Sequence, residues 1–198
     1  MLKYIKRVSI TGLLAITILC SSCAIRGNFK GLYSYYKTTK KESPEIMQKS
    51  NNVDSICNSN SLRLNPKILV VNGTSLKQCL AKKKKALIYY WAPRCRSQMC
   101  FPPEIVQSTC DSKKIELYIV AEYYDSENMK INYNIKRPIY GIDTEYYKTS
   151  LTTKYTRKFL FDIDSSLDFS KIKLGDRYLY FENGKFIKSY ESVYDVEK

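Results

Sequence analysis

Between Ala24 and Pro66 apolar positions are thin and scattered, and they become dense and ordered from Lys67 onward. Ile68–Val71 is a run of four apolar residues and predicts a short buried strand. Asn72-Gly73 predicts a turn. Ser75 with Gln78 three positions later has the form of a capping box, opening a helix through Lys84. Ala86–Ala92 is an unbroken apolar and aromatic run between a lysine block and Pro93, which reads as a buried strand. Pro102-Pro103 suits the first turn of a helix that continues to about Ser112. Ile115–Ala121 predicts a third strand, whereas 125–149, with Pro138 and Gly141, predicts irregular chain. Leu151, Tyr155, Lys158 and Phe159 keep a helical spacing. Tyr178–Phe181 and Lys185–Tyr190 flank Asn183-Gly184 and predict a hairpin. The order β-α-β-α-β-loop-α-β-β predicts an α/β fold, parallel through its crossovers and antiparallel at the final hairpin.

The first third of the chain reads differently. Met1–Arg7 is short and basic, Val8–Leu19 is a twelve-residue apolar stretch, and Cys20-Ser21-Ser22-Cys23 follows. That is the plan of a secretory signal, and it falls short of the roughly twenty apolar residues a spanning helix needs. Ser21 and Ser22 ahead of Cys23 resemble a bacterial lipobox, with Cys20 where leucine is usual. The resemblance implies that 1–22 is a lipoprotein signal peptide and that Cys23 is the lipidation site, carrying palmitate-like acyl chains. The protein is then expected in the bacterial cell envelope, lipid-anchored to a membrane outside the cytoplasm. Residues 23–66, with a short helix expected near 31–36 and an Asn/Ser-rich stretch at 50–60, are expected to be a membrane tether and polar linker, leaving 67–198 as the folded domain.

Composition narrows the chemistry. The 198 residues contain no histidine, which excludes Ser-His and Cys-His nucleophilic pairs and histidine metal ligands. The net charge is +14, of which +11 lies beyond residue 22 because Lys3, Lys6 and Arg7 precede it without an acid. The lysines are spread out and no nucleic-acid motif accompanies them, so a solvated basic surface is expected and a nucleic-acid partner is not. The dense block Lys82–Lys85 reads as a helix end, where cations complement the dipole. Tyrosines such as Tyr89, Tyr90, Tyr118, Tyr178 and Tyr180 fall at strand positions and are expected to pack the sheet.

Cys57, Cys79, Cys95, Cys100 and Cys110 lie beyond Cys23. An odd set in an oxidising compartment leaves at least one thiol outside any internal pair, and several pairings stay open. Cys79 and Cys110 read as buried small apolar residues, with Cys110 also a candidate partner for Cys57 or Cys100. The spacings do not suit a zinc site, and neither a metal nor a cofactor is expected.

Trp91-Ala92-Pro93-Arg94-Cys95, at the end of a predicted strand, resembles the active-site turn of the thioredoxin family. Tyr178-Leu179-Tyr180-Phe181-Glu182-Asn183-Gly184-Lys185-Phe186 resembles that family's last hairpin, and the likeness covers roughly 67–190. It implies a thioredoxin-like three-layer fold, a central mixed sheet flanked by helices. It implies Cys95 as the attacking thiol. The start of the following helix and the Arg94 and Arg96 guanidiniums are expected to favour its thiolate form. Gln98 occupies the family's second-cysteine position, and the nearest thiol is Cys100. A helix from 95 to 100 would separate the two by about 7.5 Å of rise and about 140° of rotation, so only a loop lets them join. The family's buried acid and cis-proline align with Tyr89 and Asp176. Two functions follow as expectations: thiol–disulfide exchange, as an oxidoreductase, on envelope proteins with thiols or disulfides, or a non-catalytic binding or adaptor lipoprotein on the same fold. A third reading is electrostatic attachment to acidic surface polymers.

Overall fold

The computed structural model describes residues 30–50, 52–59, 68–95, 97, 100–172 and 175–197. Lys85–Trp91 forms β3, buried at every position from Ala86 on, because it has neighbours on both sides and helices on both faces. Beside it run β4 (Glu116–Ala121), parallel, and β6 (Tyr178–Glu182), antiparallel. Hairpin partner β7 (Lys185–Tyr190) closes that side. On the other side, β5 (Tyr140–Ile142), β2 (Ile68–Val71) and β1 (Met47–Lys49) continue the parallel half. The described residues therefore build one seven-stranded mixed sheet, ordered β1-β2-β5-β4-β3-β6-β7, in an α/β fold.

Alternation along the strands feeds two cores. On one face Leu87, Tyr89, Trp91, Leu117 and Ile119 pack with Val106 and Cys110 of α4 (Pro103–Ser112). On the other, Ile88, Tyr90, Tyr118 and Val120 pack with Leu76 and Leu80 of α3 (Gly73–Ala81) and Tyr155 and Phe159 of α6 (Thr152–Ile163). Each fully buried Leu, Ile or Phe contributes about 1.5–3 kcal/mol relative to exposure.

Several expectations change. Helix α3 is capped by Asn72, whose side chain accepts the Ser75 N–H at 2.8 Å, so the capping box at Ser75 does not form. Gly73 belongs to that helix, and a Cβ there would lie 2.2 Å from the Phe159 carbonyl oxygen of α6. The helix ends at Ala81, ahead of the whole lysine block, with Lys82 as its C-cap. Within 125–149, expected to be irregular, lie α5 (Ser126–Met129) and β5. Strand β5 is only three residues long and carries Gly141, whose missing side chain admits the Tyr124 hydroxyl and Ile68, so it left no periodic signal.

The tether expected over 23–66 is folded in its described part. Helix α1 (Tyr36–Glu42) lies later than the short helix expected near 31–36. Helix α2 (Val53–Asn58) replaces the expected linker, and β1 pairs with β2 from Met47 opposite Ile68. Tyr36, Ile46, Ile56 and Cys57 anchor these pieces in the two cores, too sparsely to give a pattern in the sequence. The signal at 1–22, Cys23 and the 66/67 boundary lie outside the described residues. No described helix is long and apolar enough to cross a membrane.

Candidate functional site

Strand β3 delivers the chain to the candidate site. After Trp91, Ala92 and Pro93 are buried, and the Cys95 N–H donates to the Ala92 carbonyl at 3.0 Å, which turns the chain out of the sheet. A second turn follows, with the Cys100 N–H on the Ser97 carbonyl at 3.0 Å. Pro102 takes extended backbone and is the N-cap of α4, so the helix starts only at Pro103. Cys95 and Cys100 therefore both lie ahead of the helix. Cys95 and Cys100 form a disulfide with their α-carbons 5.9 Å apart. Both residues are half-buried, and the Ser97 hydroxyl lies 3.3 Å from one sulfur and 3.5 Å from the other.

Two tyrosines support this loop from the sheet. The rings of Tyr89 and Tyr178 stack with centroids 4.8 Å apart. Tyr89 donates to the Phe101 carbonyl at 2.8 Å, and the Tyr178 hydroxyl is hydrogen-bonded with Tyr89 and with the Phe101 backbone. Burial pushes the Tyr89 phenol up to about 12, so it remains a neutral donor. Tyr89 thereby anchors the Phe101 backbone to the sheet. Asp176, aligned with the cis-proline position, accepts from the Ser189 hydroxyl, and no cis peptide bond occurs among the described residues.

An ionic cluster flanks the loop. The side chain of Asp125, 0% exposed, receives Arg94 Nε at 2.5 Å and Lys30 Nζ at 2.5 Å, and accepts the Asn128 N–H as the cap of α5. Burial raises its pKa, but Lys30, Asn128 and Arg94 outweigh that and hold it at about 2. Arg94 also meets Glu127 at 2.5 Å, and its backbone N–H donates to the Tyr123 hydroxyl at 3.1 Å. The Arg94 guanidinium thus faces two carboxylates, which offset much of the positive field it was expected to supply to Cys95. Arg96 lies outside the described residues. The expected helix-start effect also moves. It fades within one turn of Pro103, which puts Cys100 nearer to it along the chain than Cys95.

The remaining cysteines divide in a way that spacing did not reveal. Cys57 and Cys79 are both buried and joined, α-carbons 5.0 Å apart, stapling α2 to α3. Cys79, read as a simple buried residue, is therefore a half-cystine. Cys110 is free and buried, and burial pushes its thiol up to about 12, out of reach of neutral-pH chemistry. Among the described residues no group of three or more Cys, Asp or Glu side chains is placed to hold a metal ion.

No family model, no curated protein and no solved structure matches this chain.

Proposed function

We propose that the chain is an exported, membrane-anchored, thioredoxin-like protein that exchanges its Cys95–Cys100 disulfide with thiols and disulfides of envelope proteins. The observation that carries the reading is the contrast between two bridges. Cys57–Cys79 is sealed in the core, whereas Cys95–Cys100 closes a short, half-exposed loop at the end of a central strand. A disulfide is open to exchange where a thiolate can approach along it. The placement of β3 between parallel β4 and antiparallel β6, completed by β7, supports the thioredoxin-like reading of that half. Strands β1 and β5 are additions to it.

In the oxidising direction, a substrate thiolate attacks one sulfur of the bridge. A mixed disulfide forms and the other protein sulfur leaves as thiolate. A second substrate thiol, losing its proton to solvent, displaces the first protein sulfur. The substrate gains a disulfide, and two electrons pass to Cys95 and Cys100. The reverse sequence reduces a substrate disulfide. Ser97, within reach of both sulfurs, offers a hydroxyl to whichever becomes thiolate. At the other end of the chain, the lipobox-like Ser21-Ser22-Cys23 supports the anchor.

A second reading, a non-catalytic adaptor, is favoured by Tyr89 and Asp176 in place of the acid and cis-proline, and by the carboxylates around Arg94. Single variants separate the two. Cys100→Ser and Cys95→Ser each leave one loop thiol, and mixed disulfides captured on either support exchange. Stable complexes that form equally when both cysteines are replaced support the adaptor. A reduced pair that reacts with an alkylating probe no faster at pH 6 than a cysteine in a peptide overturns the exchange reading.

A further inference from the structure

We propose that the outer face of α6 and the corner formed by Leu32 and Tyr33 dock on an anionic lipid bilayer. The proposal builds on the anchored reading of Cys23. Lys30, the first described residue, is seven α-carbon steps from Cys23, and seven steps reach at most about 25 Å. An acyl group on Cys23 would hold the adjoining face of the protein close to the membrane, in contrast to a forty-residue tether.

That adjoining face is identified by pairing. Leu32 accepts the Thr152 N–H at 3.0 Å, and the Ser34 N–H donates to the Ser150 carbonyl at 2.8 Å, so the start of the folded chain lies against the start of α6. Leu32 is 49% exposed and Tyr33 41%. Further along α6 and the turn before it, Phe161 and Tyr146 are 54% and 52% exposed. They border a hollow of about 700 Å³ whose other walls include Lys148, Lys154, Arg157 and Lys158. Lys148 also borders a second hollow of about 830 Å³, lined by Tyr33 and Lys37, so the two lie side by side.

Cations outnumber acids in that wall. Among the described residues Lys148, Lys154 and Arg157 have no carboxylate partner. Arg157 lies over the Phe169 ring at 5.1 Å, and Lys158 donates to the Tyr147 carbonyl at 3.1 Å. Asp162, the acid in the wall, accepts from the Tyr147 hydroxyl at 2.8 Å, and Glu145 is taken by Lys40 at 3.0 Å. Exposed rings and aliphatic tips among unpaired cations are the composition of an interfacial surface, where apolar groups enter the acyl boundary and cations meet anionic headgroups. The sulfur loop lies beside the same start of the folded chain, since Lys30 and Arg94 share Asp125. Docking therefore places the disulfide near the bilayer, among membrane-proximal partners.

Phe161→Trp in the full-length acylated chain tests this, because Trp91, the one native tryptophan, is buried and gives a steady background. Phosphatidylglycerol vesicles with brominated acyl chains are expected to cut the emission of the introduced indole about two-fold relative to zwitterionic vesicles. Tyr146→Trp gives the same result from the other wall. Lys154→Glu with Arg157→Glu added to either variant is expected to abolish the difference. An introduced indole that stays unquenched on vesicles to which the chain co-floats overturns the docking. Retention by dextran sulfate that anionic vesicles fail to displace also overturns it, in favour of an acidic polymer. The mass of the N-terminal peptide reads the anchor separately. Absence of acyl chains there sinks the anchor, while the quenching still decides the docking.

Discussion

The Tyr89 hydroxyl donates to the Phe101 carbonyl at 2.8 Å and so ties the middle of β3 to the residue that follows Cys100. Because Tyr89 stacks on Tyr178 of β6, the floor of the sulfur loop is built from two strands. Tyr89→Phe removes the donor and keeps the ring. It is expected to lower stability by about 1 kcal/mol, measured by urea unfolding. It is also expected to speed reduction of Cys95–Cys100 by dithiothreitol, since the loop loses one of its two tyrosine attachments. An unchanged reduction rate would show that Tyr178 and the two turns hold the loop without it.

The two disulfides should separate on reduction. Mild reductant is expected to open Cys95–Cys100 first, leaving Cys57–Cys79 intact until the protein is unfolded, as peptide mapping after alkylation will show. Cys110 is expected to stay unlabelled throughout in the folded protein, given its burial. Replacing both Cys57 and Cys79 by alanine releases a closure of 22 residues in sequence, for which chain entropy gives a loss of about 3 kcal/mol. Replacing Cys95 and Cys100 releases a separation of only 5, for which the same relation gives about 2 kcal/mol.

Asp125 sets an acid limit. Its folded pKa is held at about 2 against an ordinary value of 3.8. A depressed carboxyl contributes stability that is fully present above the unfolded value and is lost as pH falls through the folded one. The contribution is roughly 2 kcal/mol, fading between about pH 4 and pH 2. Asp125→Asn should lower stability at neutral pH and flatten that part of the pH profile. It also leaves Arg94 without its buried carboxylate, so the reduced loop thiols should alkylate faster at pH 6 than in the parent protein. Slower alkylation would mean that Arg94 acts on the sulfurs only from its present tethered position.

At Gly73, α3 lies close against the backbone of α6. Gly73→Ala puts a Cβ 2.2 Å from the Phe159 carbonyl oxygen and 2.7 Å from Asp162 Cβ, neither of which is a flexible tip. An overpacking loss of about 1–3 kcal/mol is expected, read as a lower urea midpoint. A neutral result would require α6 to shift away from α3.

What the sequence made legible were the elements whose burial is continuous. Ile68–Val71 is buried at all four positions and Ala86–Trp91 at all six, so each appears as an apolar run whatever its neighbours. The hairpin around Asn183-Gly184 carried its own turn chemistry, with both residues at positive φ. Strand β5 was hidden because its middle residue is the glycine required by Tyr124 and Ile68, contacts distant in sequence. Strand β1 was hidden because it is an edge, partly buried at Met47 and exposed at Gln48 and Lys49. At the candidate site, the double proline pointed to a loop able to join Cys95 and Cys100, and the joined loop is present. Asp125, Lys30 and Tyr89 were not legible as site residues. Each acts through a partner on another element, and nothing local in the sequence marks that partnership. Arg94 was legible as a cation beside a cysteine, but the two carboxylates that engage it come from the start of α5.

The buried thiol at Cys110 bears on how the chain reaches its native pairing. Once α4 is seated, that sulfur is withdrawn from exchange, and among the described residues two bridges are made. In the unfolded chain Cys57, Cys79, Cys95, Cys100 and Cys110 all compete, and Cys110 is ten positions from Cys100. An oxidant that arrives before α4 covers Cys110 would lock wrong partners in place, so productive maturation requires collapse of that helix to run ahead of sulfur oxidation, or an isomerase to undo the errors.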